Sequence, residues 1–466
     1  MSVLIVLISL AFLMLVAYRG FSVILFAPIA ALGAVLFVDP NLVMPMFTGL
    51  FMEKLAQFAK LYFPVFLLGA VLGKVIELSG FAKSIINSVS RFCGPRHAVL
   101  AIAIVCGILT YGGVSLFVVV FAAYPFAAEM FKQAKLPKRL IPATIVAGGA
   151  TFTMDALPGS PQIQNIIPTT FFKTDAWAAP WLGLIGSLLV FSCSIALLMW
   201  LAQRAVKAGE GYGENHINEP VNFEHEKLPH PVLALAPLVT VAVLNKVFGT
   251  WLFPALYGKT VSFIPAVVGT AAPVVQDVQK VNAIWSVELA LACGIVVCLA
   301  TAWKTVAARF GEGSKHAIGG AMLATLNTAT EYGYGAVIAA LPGFLVVAEG
   351  LKNIPNPLVN EAVTVTTLAG ITGSASGGMG IALAAMADTF MANAKAAGIP
   401  LEVLHRIASM ASGGMDTLPH NGAVITFLAV CGLSHRQAYP AIFGITIIKS
   451  LAVFAVIGVF FLTGIV

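Results

Sequence analysis

Two carboxylates stand where an apolar chain can least accommodate them. Asp155 lies in Met154-Asp155-Ala156-Leu157-Pro158-Gly159-Ser160-Pro161-Gln162-Ile163-Gln164-Asn165, and Asp416 in Met415-Asp416-Thr417-Leu418-Pro419-His420-Asn421-Gly422. Each Asp is followed by Leu-Pro and a cluster of small or polar residues, and each motif is embedded in long apolar arms. An ionisable side chain at membrane depth is costly, and its default reading is functional. Burial disfavours the charged form of a carboxylate and brings proton exchange within reach. The competing reading is a carboxylate that caps the backbone N–H groups freed by the proline and never titrates. His420, one turn beyond Asp416 and without a counterpart in the first motif, is a candidate to share its proton. Glu331, inside the Gly-broken polar patch Asn327-Thr328-Ala329-Thr330-Glu331-Tyr332-Gly333, is the alternative proton carrier. Lys74 and Glu77 are three apart and read as a structural ion pair on one helix face. Glu288 and Lys449 stand isolated in apolar spans and receive no role.

Each Asp motif is preceded by a glycine tract at the same distance. Gly112 lies 43 residues before Asp155, in Thr110-Tyr111-Gly112-Gly113-Val114-Ser115. Gly373 lies 43 residues before Asp416, in Thr372-Gly373-Ser374-Ala375-Ser376-Gly377-Gly378. The match reads as an internal duplication of a two-part polar site. Gly112, Gly113 and Gly373 permit close backbone approach to a substrate, and Ser115, Thr372, Ser374 and Ser376 add hydroxyl donors. Ser160, Gln162 and Asn421 are further donors for a substrate carboxylate or hydroxyl. The structural alternative is tight helix packing, a common use of small residues in membranes.

These residues require a membrane-embedded scaffold. The chain has 466 residues, 59% hydrophobic and 10% charged, with a mean hydropathy of +0.94. Soluble domains carry roughly a quarter charged residues, so a polytopic, all-α membrane protein is expected. The net charge of +6 is scattered over short loops and signals topology rather than nucleic-acid binding. At about 20 residues per crossing, spans are expected at 3–18, 21–38, 62–80, 181–203, 231–247, 285–303, 318–350 and 439–464. Segments 39–61 and 248–284 read as loops or interfacial helices. Lys83, Arg91 and Arg96 mark one loop as cytoplasmic, and Lys132, Lys135, Lys138 and Arg139 mark the next. Only one apolar stretch separates them, so it must enter and leave on the same face, with Thr110–Ser115 at its tip. Irregular backbone at that depth is tolerated where it lines a cavity. Two inverted repeats follow. The first, 1–203, has a re-entrant hairpin at 98–123 and a broken helix at 140–170. The second, 231–466, has a hairpin at 362–393 and a broken helix at 402–430. A polar linker, 204–230, joins them.

Inverted repeats with interrupted helices meeting at mid-membrane characterise secondary transporters. Freed helix N-termini present N–H groups and positive dipole to an anion. The chain carries no nucleotide loop, dinucleotide fingerprint or Cys/His metal spacing, so neither an enzyme nor an ATP-driven pump is expected. No cofactor or metal is expected either. The chain resembles the gluconate permease (GntP) family of the ion-transporter superfamily, through Leu68–Gly80, Thr110–Ser115, Asp155–Asn165, Asn327–Val337 and Gly413–Asn421. The resemblance implies proton-coupled uptake of a small organic acid anion across the bacterial inner membrane, and a homodimer. The form of Asp155–Asn165 and the following Ile166-Ile167-Pro168-Thr169-Thr170 looks closest to the D-3-hydroxybutyrate branch. Alternatives are a sodium-coupled carboxylate carrier, a cation/proton antiporter and a passive anion channel.

Overall fold

The computed structural model describes residues 2–466 except 20, 95–96, 115, 215, 217, 220–227, 265–272, 345, 347–349, 351–353 and 420. Ser115 and His420, both expected at the site, therefore lie outside the described residues, as does Arg96. The chain is an all-α polytopic membrane protein.

Helices α1 (Ser2–Tyr18) and α2 (Val23–Val38) are apolar on every side. Leu7, Ile8, Leu25 and Ile29 point outward, while Leu10, Leu13, Ala27 and Ala31 are buried. A helix apolar all round suits a span with lipid on one face and protein on the other. Helical backbone then runs from Pro40 into α3 (Met52–Leu78). The amphipathic α4 (Phe81–Cys93) follows. Next, α5 (Ala98–Tyr111) and α6 (Leu116–Gln133) form an antiparallel hairpin.

The first broken helix consists of α7 (Ile141–Gly149), the single turn α8 (Phe152–Asp155) and α9 (Ile163–Phe172). Thr151 leaves the helical region (φ −129°, ψ −125°), and Pro158 and Pro161 lack the N–H a helix would need. Gly159 has φ +77°, and a Cβ there would strike the Trp177 ring. Helix α10 (Pro180–Lys207) closes the first half, and α11 (Pro231–Val247) opens the second. A two-stranded antiparallel ribbon follows, β1 (Thr260–Phe263) on β2 (Val274–Asp277), with Thr260 opposite Asp277.

Helix α12 (Val278–Ala339) spans 62 residues, about 93 Å if straight and far more than the roughly 30 Å of hydrocarbon. It folds at Ala302 (φ −130°, ψ 22°). The Cys298 thiol reaches the Ser79 hydroxyl at 3.7 Å. A Cβ on Gly313 would lie 2.9 Å from Leu78. In a straight helix those two residues would be about 22 Å apart. Both instead meet the same end of α3, so α12 doubles back and holds α3 along both arms. The second hairpin is α13 (Pro357–Thr372) with α14 (Ala375–Ala396). The second broken helix is α15 (Leu401–Ser412) with α16 (Gly422–Cys431), and α17 (His435–Thr463) ends the chain. The far piece of each broken helix packs on the returning arm of the other half's hairpin, α9 on α14 and α16 on α6.

Two expectations are corrected and one is narrowed. The segment 39–61, expected as loop or interfacial helix, is helical from Pro40 onward with Pro45 inside it, and runs on into α3. The stretch between the expected spans 285–303 and 318–350 is helix rather than loop, and the second arm ends at Ala339. Within 248–284, helix extends to Tyr257 and is followed by the ribbon, whose Val- and Thr-rich strands favour β structure. The described part of the linker is also not free. Glu210 pairs with Arg139, and Glu219 pairs with Lys132 and with the buried Lys138.

Candidate substrate and coupling site

The two Asp motifs meet on one lysine. Lys449 sits halfway along α17, and its Nζ lies 3.4 Å from Asp155 Oδ2 and 3.3 Å from Asp416 Oδ1. It also donates to the Ala150 carbonyl at 2.9 Å. Ala150 caps the C-terminal end of α7, and Gly413 caps that of α15. Helix C-termini carry partial negative charge. Two carboxylates and the ends of two interrupted helices therefore converge on one ammonium. No charged side chain occupies the corresponding span of the first half, residues 181–203, so one cation serves both motifs. Breaking such a buried pair by removing one partner costs about 3–5 kcal/mol.

A second set of contacts binds α15 to the first-half break. Arg406 is fully buried and donates to the carbonyls of Ala178 and Asp155 and to Asn165 Oδ1. Ser409 donates to the Asp155 carbonyl at 2.7 Å. Asn165 Nδ2 donates in turn to the Ser160 and Ala176 carbonyls. Every described polar atom of the Arg406 fork thus lands on backbone or amide oxygen of the first half, which makes Arg406 a clamp.

The hairpin turns are tied to the breaks by amide side chains. Gln162, the N-cap of α9, donates to the Thr110 carbonyl at 2.7 Å and reaches the Val114 carbonyl at 3.4 Å. Asn421, the N-cap of α16, donates to the Gly373 carbonyl at 2.7 Å and accepts from the Val424 N–H. The two caps are equivalent in structure although the aligned Asp residues would pair Asn421 with Ser160. The Ser160 hydroxyl is instead donated to the Thr153 carbonyl at 2.6 Å.

Several expected substrate donors are engaged elsewhere. Gly112 is packed rather than open, because a Cβ there would lie 2.5–2.8 Å from Leu238 atoms. Gly113 (φ +90°) faces Leu291 and Leu72. The first turn is therefore covered by α11, α12 and α3, which corrects the expectation of backbone bare to substrate. Thr372 donates to carbonyls of its own helix, and Ser374 caps α14 by accepting from the Gly377 N–H. Gly373 ends α13 with φ +65°, a left-handed position suited to glycine. Ser376 faces Thr328 at 3.4 Å between hydroxyl oxygens.

Glu331 is brought to this second turn. Its carboxylate lies against the first turn of α14, where a Cβ on Gly377 would strike Oε2. Oε2 has no hydrogen-bond partner among the described residues, and neither does the nearby Thr330 hydroxyl. Sequence reasoning missed Lys449 and Arg406. A signal existed for Lys449, since a lone cation in mid-span demands a buried counter-charge. The Lys74–Glu77 pair is present at 2.9 Å.

No protein-family model matches the chain. The chain is 54% identical over its whole length to the uncharacterized transporter YxjC of Bacillus subtilis, also matched over its whole length. The chain belongs to the YxjC family. It is a membrane transporter and not an enzyme. An uncharacterized transporter of Haemophilus influenzae is 28% identical over 177 residues, 38% of this chain and 39% of that one. The crystal structure of the Alcanivorax borkumensis YdaH transporter, described as having an unusual topology, superposes with a TM-score of 0.52 at 15% identity. It covers 99% of this chain and 98% of that one, a likeness of fold.

Proposed function

We propose that this transporter is a proton-coupled importer of a small hydroxy-monocarboxylate, gluconate-like or D-3-hydroxybutyrate-like, acting as a homodimer in the bacterial inner membrane. The observation that carries the reading is the pair of interrupted helices. Each places a helix N-terminus beside a hairpin turn, that of α9 without a side-chain cap and that of α16 capped by Asn421, and the two Asp motifs share a single ammonium. The N-termini of α9 and α16 suit an anionic substrate. With both carboxylates ionised the Lys449 cluster keeps one negative charge, and that charge is a place for the coupling proton. Glu331, whose Oε2 lacks a partner, is the second such place. The resemblance to gluconate permeases, and within them to the hydroxybutyrate branch, supports the substrate class.

Uptake of labelled gluconate and 3-hydroxybutyrate into proteoliposomes, with pH or sodium gradients imposed separately, tests the reading. Accumulation driven by the pH gradient alone is expected, and competition by a panel of unlabelled acids ranks the substrates. Accumulation that follows sodium and ignores pH refutes proton coupling; equilibration without accumulation under either gradient would indicate a channel. Asp416→Asn is expected to keep substrate exchange and lose net uptake. Normal accumulation in Asp416→Asn, with exchange alone in Glu331→Gln, moves the coupling role to Glu331.

A further inference from the structure

Lys449 does more than neutralise a buried carboxylate. It stands 14 residues from each end of α17, about 21 Å along the helix either way, and so at the middle of a helix long and apolar enough to cross a membrane. Its polar partners among the described residues are all oxygen: Asp155 Oδ2, Asp416 Oδ1 and the Ala150 carbonyl, within 3.4 Å of Nζ. Carboxylate and carbonyl oxygens at the end of an interrupted helix are the donor set by which membrane carriers hold a small hard cation. Here a tethered ammonium fills that position. Gly413 confirms how closely the space is fitted, since a Cβ there would lie 2.8 Å from Nζ and on Asp155 Oδ2.

We propose that Lys449 is a built-in counter-cation, occupying the place where a sodium ion would otherwise join the two Asp motifs. The carrier therefore needs no sodium at this position, and loss of the lysine creates a site for a free monovalent cation. The inference rests on the proton-coupled reading for its meaning in transport, so its test uses stability rather than uptake. The ligands are contributed by both halves, Ala150 and Asp155 from one and Asp416 from the other, and a cation there holds the two breaks together.

The experiment compares thermal unfolding of the detergent-purified wild type and Lys449→Ala in sodium, methylammonium and choline chlorides at equal ionic strength. An ion that binds the folded state alone raises the midpoint with its concentration. The wild type is expected to unfold at one midpoint in all three salts. Lys449→Ala is expected to unfold several degrees lower in choline and to recover with rising sodium or methylammonium, because truncation empties the space the ammonium filled. A Lys449→Ala midpoint that is the same in the three salts overturns the proposal, as does a sodium-dependent midpoint in the wild type. If the single variant does not fold, Lys449→Ala/Asp416→Asn replaces it. That variant keeps the wild type's buried charge of one negative unit, and the same two outcomes decide. Wild-type uptake of gluconate or 3-hydroxybutyrate that ignores the pH gradient would defeat the transport reading and leave these midpoints unchanged.

Discussion

Gly413→Ala adds one methyl group at the centre of the charged cluster. The backbone at Gly413 (φ −82°, ψ −3°) suits any residue, so strain does not enter. The new Cβ would fall on Asp155 Oδ2 and lie 2.8 Å from Lys449 Nζ. Helix α15 cannot retreat easily, because Leu404, Ile407, Ala408 and Ala411 are wholly buried and Arg406 and Ser409 are bonded to the Asp155 carbonyl. The Asp155 carboxylate must therefore leave the ammonium. Losing one partner of a buried pair costs about 3–5 kcal/mol. Asp416 still faces Lys449, so a loss near 3 kcal/mol is expected. Gly422→Ala, seven residues after Asp416's neighbour Met415, is the control, because its Cβ would meet nothing within 4 Å. At the first position of α16 alanine is expected to change stability little. Equilibrium unfolding of both variants in mixed micelles measures the difference. A Gly413→Ala protein as stable as Gly422→Ala would show that Asp155 and Lys449 contribute no net stability as a pair.

Gly112→Ala is expected to destabilise by about 1–3 kcal/mol through overpacking on Leu238. Adding Leu238→Ala should restore much of the loss; a strictly additive double variant in the same unfolding assay would refute the contact. At the 204–230 linker, burial opposes the charge of Glu219, but Lys132 and Lys138 outweigh it and hold the carboxyl below its ordinary value of 4.5. A depressed folded-state pKa contributes stability that is complete above the unfolded value and lost as pH falls through the folded one. Glu219→Gln should therefore flatten the acid side of the stability–pH curve below about pH 4.5, read as thermal midpoint against pH. An unchanged acid limb would show that the linker pairs do not matter to the fold.

What could be read from the chain is what depends on local chemistry. Proline and glycine interrupt helices through missing N–H groups and positive φ, so both breaks and both hairpin turns are legible from Pro158, Gly159, Pro419, Gly113 and Gly373. Runs of apolar residues likewise reveal the helices that form spans. Contacts between distant segments are not written in this way. Nothing near Gly112 announces that Leu238 will cover it, and glycine serves close packing as readily as close approach to a substrate, so the tract alone leaves both readings open. Helix α12 escaped for a different reason. Its Lys304, Arg309 and Lys315 look like a loop by hydropathy, yet polar residues are compatible with helix, and the fold at Ala302 has no proline to mark it.

Lys449 and Arg406 together explain why two separate motifs behave as one site. Arg406 belongs to the second half and donates only to oxygen atoms of the first. Lys449, also of the second half, draws one carboxylate from each. The hairpin turns are joined to the breaks of their own half through Gln162 and Asn421. A turn that moves relative to its break must give up one of those amide bonds, and a break that moves relative to its counterpart must give up contacts at Arg406 or Lys449. These bonds are uncharged, worth about 0.5–1.5 kcal/mol each, whereas breaking the buried charge pair costs about 3–5 kcal/mol. The first turn has two from Gln162 and a third from the Tyr111 hydroxyl to the Pro158 carbonyl, and the second has one from Asn421. Rearrangement at the second turn is therefore the least costly motion, with the two breaks moving as one body. Gln162→Ala and Asn421→Ala should accordingly loosen the hairpins while leaving the core intact. Hydrogen exchange should rise in α5–α6 for the first and α13–α14 for the second. Faster exchange in α15 instead would place the weak joint at the charged cluster and reverse the order argued here.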